Sequence, residues 1–296
     1  MYALIDVAKE HNDLDMVQKF WNTWHCQSDI ITYNHRAYGK YCKNRWCNVC
    51  CGIRKAEMMH KYEPIISTWS EARFQTLTSK AVTKEQLNNK IDLSRKILNR
   101  IIRKHDQRHR RNGSHKLVGL CSLECNFNPK DKTYNPHFHI ITKDIETAHL
   151  LNLDWLNEWK KVGPDQVNAW GQSRRRVNDT EKCLIKTIKY VSKTMTDPNM
   201  NKGDDVTENP VIYAHALYNV YKAFSNRRLL TTFGFSLPKQ DYSKTQIQHV
   251  TKARQWKFAA HQTDYVDIET GEMMLNYIPS NDLIDLLKNN IDIELT

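Results

Sequence analysis

Residues 134–141 read Tyr-Asn-Pro-His-Phe-His-Ile-Ile, and the fold turns on how this stretch is placed. Side chains alternate faces along a β-strand, so His137 and His139 share one face while Phe138 and Ile140 take the other. The apolar side predicts a core. The two imidazoles predict half of a metal site, since paired histidines on one strand face make a common ligand set.

The preceding stretch supplies the neighbour. Leu117–Asn126 and Pro136–Thr142 read as strands joined by a polar loop over 128–135, a β-hairpin with a long connection. In Cys121-Ser-Leu-Glu-Cys-Asn126, Leu123 and Cys125 belong to the core side, so Glu124 falls on the other side with Ser122. The hairpin can therefore set Glu124 beside His137 and His139. Two imidazoles and a carboxylate leave positions open for water or phosphate, which suits Mn²⁺ or Mg²⁺ as a Lewis acid and also Zn²⁺ or Fe²⁺.

Outward from the hairpin, Phe74–Ser79 predicts a short strand and Lys84–Arg111 a long amphipathic helix ended at Asn112-Gly113. Helices are also predicted over 1–25, Thr147–Lys161, Thr180–Thr196, Val211–Phe224 and Asn281–Asn290. Arg228–Leu237 reads as a strand-turn with Gly234 at the bend, and Val266–Leu275 as a hairpin turning at Glu269–Gly271. Mixed helices and hairpin strands indicate an α+β protein with an antiparallel sheet. Three regions are expected: a helical, cysteine-rich 1–65, a central 66–240, and an acidic hairpin-and-helix segment, 241–296.

The chain has 296 residues, and its composition is that of a globular protein, 40% hydrophobic and 26% charged. With no apolar run long enough for a bilayer and no signal peptide, it is expected in the cytoplasm without a membrane partner. The net charge of +11 is unevenly spread: Asp264–Thr296 carries −7, and the rest +18. The densest basic stretch, Arg95–Lys116, holds nine Lys or Arg. A body this basic points to a polyanion, most simply nucleic acid. Its candidate phosphate contacts are Arg100, Arg103, Lys104, Arg108, Arg110 and Arg111, with Arg174, Arg175 and Arg176 as a second group.

Residues 186–193 read Lys-Thr-Ile-Lys-Tyr-Val-Ser-Lys, and on a helix Lys186, Tyr190 and Lys193 share a face. A phenol is a poor nucleophile at neutral pH, but two flanking ammonium groups favour the phenolate and can hold a phosphate. With a metal polarising the same phosphodiester, Tyr190 could attack phosphorus in line, giving a phosphotyrosine and a free 3′-hydroxyl. Thirteen tyrosines make this spacing common by chance, so its weight comes from the histidine motif.

Cys42-x4-Cys47-x2-Cys50, with Cys51 adjacent, has metal-ligand spacing, and eight cysteines in a reducing compartment argue for metal or thiols over disulfides. A structural zinc wants four N or S ligands, and His25, His35, His60 and Cys51 compete on chemistry for the fourth place. Cys121, Cys125 and Cys183 read as core residues.

These pieces, in this order, resemble the initiator (Rep) proteins of bacterial rolling-circle plasmids, in the superfamily of HUH endonucleases. The likeness rests on Phe74–Thr78, Leu117–Asn126, Tyr134–Ile141 and Lys189–Lys193, with Cys42–Ala56 and Arg228–Lys239 flanking them. The resemblance implies an RRM-like or ferredoxin-like antiparallel catalytic domain over 66–240 behind an N-terminal zinc-binding region, with Cys26 as the fourth zinc ligand beside Cys42, Cys47 and Cys50. It implies nicking of a plasmid's double-strand origin in an exposed single-stranded hairpin loop. His137, His139 and Glu124 would hold Mn²⁺ or Mg²⁺, and Tyr190, aided by Lys193 and Lys186, would take the 5′-phosphate. The 3′-hydroxyl would prime a host polymerase while a host helicase unwinds, and a homo-oligomer is compatible with this. Such family members often carry a glutamate four residues before the tyrosine, the base for hydrolytic termination. Lys186 stands there instead, and Glu181 falls on the opposite side of the helix. A conjugative relaxase or single-strand transposase would use the same chemistry. A zinc-containing DNA-binding regulator would bind without an adduct, and a hydrolytic metalloenzyme would cleave without one.

Overall fold

A computed structural model describes residues 1–33, 36–39, 41–192, 210–237, 254–259 and 264–274. In chain order the elements are α1 (Tyr2–Glu10), α2 (Leu14–Trp24), β1 (Asp29–Tyr33), β2 (Arg36–Gly39), α3 (Asn48–Ile66), β3 (Arg73–Leu77), α4 (Lys84–Asn112), β4 (Gly119–Asn128) and β5 (Thr133–Thr142). There follow α5 (Ile145–Lys160), β6 (Ser173–Arg176), α6 (Thr180–Ser192), α7 (Pro210–Phe224), β7 (Leu230–Phe233), β8 (Arg254–Ala259) and β9 (Asp264–Asp267). The chain is α+β with antiparallel sheets. It divides into two compact units, one of Met1–Trp24 with Lys43–Asp241, the other of His25–Cys42 with Tyr242–Thr296.

In the larger unit the sheet order is β6-β3-β5-β4-β7, every pair antiparallel. Leu77, Leu123, Cys125, Phe127, Phe138 and Ile140 line one face and join the main core, with the apolar stripe of α4 (Leu87, Ile91, Leu98, Ile101) and Trp155 and Trp159 of α5. Phe74, Leu120 and Ile141, on the other face, pack with Ile66 of α3 and with Cys183 and Leu184 of α6. The sheet is thus covered on both sides, and α6 crosses the face to which Glu124, His137 and His139 also belong. A third cluster joins Ile5 and Phe20 of α1 and α2 to Tyr218 and Tyr221 of α7.

Local chemistry explains the element ends. Asp144 caps α5, accepting from the Thr147 N–H at 2.7 Å. Gly113 ends α4 in the left-handed region at φ 71°. The helical stretch expected over 1–25 is divided into two helices. Asn12 takes φ 52°, and Asp13 accepts from Met16 N–H at the start of α2. The Asp13 carboxylate also accepts from Tyr218 Oη at 2.8 Å and pairs with Lys222 at 2.6 Å, fixing the break against α7.

The β4–β5 hairpin runs longer than expected, pairing out to Asn128 with Thr133, because Asn128 closes the turn through Asp131 and the Lys130 N–H. β6, with four exposed residues, has none of the alternation that marks a strand in sequence. The smaller unit holds the sheet β2-β1-β8-β9. Residues 25–42, grouped in sequence with the N-terminal region, thus pair with the C-terminal strand β8. The expected turn near Glu269–Gly271 is present, with Val266 bridging Met273. The helix expected over 281–290 lies outside the described residues. No helix among the described residues is long and apolar enough to cross a membrane.

Candidate metal centre and its surroundings

Register builds the centre. Glu124 on β4 sits opposite His137 on β5, and Ser122 opposite His139. Directly opposed and diagonal neighbours on one sheet face are within reach of each other's side chains. Glu124 Oε2 lies 2.6 Å from His139 Nε2 and 3.3 Å from His137 Nε2, and the two Nε2 atoms are 3.2 Å apart. Two donors bound at ~2.1 Å and at right angles would lie ~3.0 Å apart. The triangle therefore matches one face of a metal's coordination shell, with the remaining positions open.

The surrounding groups aim these atoms. His137 Nδ1 donates to the Asn135 carbonyl at 2.9 Å, which leaves Nε2 of the neutral ring as a lone pair. Nδ1 of His139 meets Thr76 Oγ1 at 3.0 Å, and its ring stacks on Phe74 at 5.3 Å. With a proton on Nδ1 of each ring, the buried Glu124 Oε2 faces two lone pairs and has no donor. A divalent cation resolves that arrangement, so the three residues fit a metal. Ser122 Oγ, fully buried opposite His139, is a further oxygen without a hydrogen-bond partner.

Without a cation the rings can instead turn Nε2 protons toward the carboxylate. In that state burial pushes the Glu124 carboxyl up, but hydrogen bonds from His137 and His139, and their charge when protonated, outweigh it and hold it below the ordinary value. Burial draws His139 below its usual value against its hydrogen bond to Glu124, and the charges of His137 and Arg175 act in the same direction as burial.

Tyr190 and Lys186 belong to α6, which packs across this sheet face. Their side chains, and Lys193 altogether, lie outside the described residues. Cys47 caps the N-terminus of α3 and Cys50 is buried in its first turn, so two thiols meet at one helix end. Cys26 and Cys42 belong to the smaller unit, near the ends of the segment that carries β1 and β2. Cys121, Cys125 and Cys183 are buried core residues, and burial pushes the thiols of Cys121 and Cys125 far up.

The basic candidates separate by face. α4 packs on the side of the sheet opposite the metal centre. There Arg100 pairs with Glu158 at 3.0 Å, Lys104 with Asp154 at 3.2 Å, and Arg110 with Asp106 at 2.8 Å. Arg103, Arg108 and Arg111 are exposed with no ion pair among the described residues, and Arg95, Lys96, Arg100, Arg103 and Lys104 line a cavity of about 570 Å³. Arg174 and Arg175 are exposed on β6, and the Arg175 guanidinium lies 4.7 Å above the Phe74 ring, the ring that stacks on His139. The sequence placed Ser122 on this face beside Glu124, but it missed the supporting roles of Thr76 and Asn135. Only their period-two spacing along strands beside the histidines could have signalled them.

No family model matches the chain, and no solved structure does so significantly. Among curated proteins it is similar to Protein rep of Staphylococcus aureus, 28% identical over 207 residues, which cover 65% of this chain and 86% of that protein.

Proposed function

We propose that the chain is a plasmid replication initiator that nicks one DNA strand by tyrosine transesterification. The observation that carries this is the convergence of Glu124, His137 and His139 on the sheet face crossed by the helix bearing Tyr190. Two further features support it. The strand and helix sequence β3-α4-β4-β5-α5-β6, with spatial order β6-β3-β5-β4, has the connectivity of a ferredoxin-like domain with both crossover helices on one face. The similarity to a protein named Protein rep points to replication.

His137, His139 and Glu124 would hold Mn²⁺ or Mg²⁺, which when bound supplies Lewis-acid polarisation of the scissile phosphodiester. In this reading Tyr190 of α6 is the nucleophile. Lys186 and Lys193, at i−4 and i+3, favour the Tyr190 phenolate and bind the phosphate. The phenolate oxygen forms a bond to phosphorus as the bond to the 3′-oxygen breaks. That oxygen takes a proton and becomes a 3′-hydroxyl primer for a host polymerase, with a host helicase opening the duplex. The 5′-phosphate stays on Tyr190. Arg174 and Arg175 bind the strand beside the metal, and Arg100, Arg103, Lys104, Arg108, Arg110 and Arg111 bind phosphates on the far side. Cys47 and Cys50, the Cys-x2-Cys pair at the start of α3, would supply two ligands of the structural zinc that the resemblance implies.

The test is incubation with single-stranded circular DNA of its own plasmid and Mn²⁺, followed by a denaturing gel and mass analysis of tryptic peptides. An adduct on the Tyr190 peptide is expected, absent in Tyr190→Phe and in EDTA. Cleavage without an adduct would make the chain a hydrolase, and tight binding without cleavage a regulator.

A further inference from the structure

On the turn that leads into β6 stands an aromatic side chain that the nicking chemistry leaves unused. Trp170 is 97% exposed. Tryptophan carries a large apolar ring with one polar N–H. The turn that presents it is pinned. Gln172 N–H bonds the Ala169 carbonyl at 3.2 Å, and Gly171 N–H bonds Asn168 Oδ1 at 2.7 Å. Gln172 then clamps the turn to the end of β3, donating to the Thr78 carbonyl at 3.0 Å and accepting from the Thr78 N–H at 2.8 Å. The Thr78 hydroxyl continues the chain to Asn135 Oδ1 at 2.9 Å, and the Asn135 carbonyl is the acceptor that orients His137. The indole is thus carried on a rigid mount hydrogen-bonded through to the metal centre.

The charge beside it is complementary to a polyanion. Arg174, Arg175 and Arg176 follow on the edge strand, all exposed and none ion-paired among the described residues. Ser173 and Arg175 stand opposite Thr76 and Phe74, so they share the metal centre's face. Charged edge strands also guard against sheet-to-sheet pairing. That role needs no exposed indole.

We propose that Trp170 is a stacking platform for a base of single-stranded DNA led to the metal centre, with Arg175 taking an adjoining phosphate. Aromatic stacking with a cationic groove is the general mode of single-strand binding, and it tolerates any base. The proposal names a substrate contact for the site read above as a nickase, yet its test does not depend on nicking.

The probe is a fluorescently labelled oligothymidylate, with binding followed by anisotropy in EDTA so that no cleavage occurs. Trp170→Ala is expected to weaken binding roughly 5- to 150-fold, and Trp170→Phe to recover most of it. Arg175→Gln should lower the slope of log affinity against log salt by about 0.7, one phosphate contact on a single strand. Both Trp170 variants keep the turn's hydrogen bonds, none of which uses the indole. Unchanged affinity in Trp170→Ala, a Phe variant as weak as the Ala variant, or a wild-type chain that ignores oligothymidylate would each overturn the proposal. Failure of the Tyr190 adduct with intact Trp170-dependent binding would sink the nickase reading and leave this one standing.

Discussion

At the scale of single residues, Lys90 offers a charge to test. It is 95% buried on α4, with Nζ 2.9 Å from Gln166 Oε1 and 4.2 Å above the Trp159 ring. Burial, with the charge of Lys80 behind it, lowers its pKa to about 8. Its folded value thus lies below the unfolded one of ~10.4. Between those limits the unfolded chain binds the extra proton, so this residue makes stability rise as pH climbs from about 8 to ~10.4, and its penalty is constant below. Lys90→Met should remove that rise and stabilise the protein at neutral pH by on the order of 1 kcal/mol, discounted for solvent screening. Denaturant melts of both proteins at pH 7 and 10 check it; equal pH dependence would refute it. Nothing in the sequence marks Lys90 as buried, since lysine on an amphipathic helix is read as solvated. The histidines were legible because strand period and hairpin pairing together fix their face.

At the scale of elements, two glycines with the same dihedral should behave differently. Gly113 and Gly234 take φ 71° and 76°. A Cβ on Gly113 would meet open space, but on Gly234 it would lie 2.1 Å from the Leu117 carbonyl and 2.9 Å from Val118 Cα. Gly113→Ala should cost only the left-handed penalty, ~1–2 kcal/mol. Gly234→Ala should cost about 3 kcal/mol or more, because the chain leaving β7 cannot pass the backbone leading into β4. Urea unfolding of the pair tests this, and equal losses would contradict it. Gly113 and Gly234 were both legible as bend residues, but the close approach was not, because it depends on which strands neighbour. The same limit hid β6. Ser-Arg-Arg-Arg carries no apolar alternation, and it forms a strand only because β3 offers a free edge. β1 was hidden differently: its partner β8 is remote in sequence, and local pattern is silent about long-range pairing.

At the scale of the whole molecule, the smaller unit is discontinuous, and that decides what a truncation does. A chain ended at Asp241 keeps β1 and β2 but loses β8 and β9 from their sheet. An isolated two-stranded hairpin is marginal in water. Such a truncation should therefore open 25–42 to protease while the five-stranded sheet of the larger unit stays resistant. Limited proteolysis with mass mapping checks this, and a protected 25–42 in the truncated chain would refute it. The boundary could not be read from composition: the acidic tail and the cysteine-rich segment look like separate regions until strand pairing joins β1 to β8.

That pairing also sets a clock. Trp256 Nε1 on β8 bonds Thr32 Oγ1 on β1 across 224 residues. At a synthesis rate of ~5–20 residues per second, β1 leaves the ribosome ~10–45 s before its partner exists. For that interval it presents an unpaired edge to every neighbouring nascent chain. A cell that slows translation lengthens the exposure, so yield of native protein is tied to elongation speed as well as to stability.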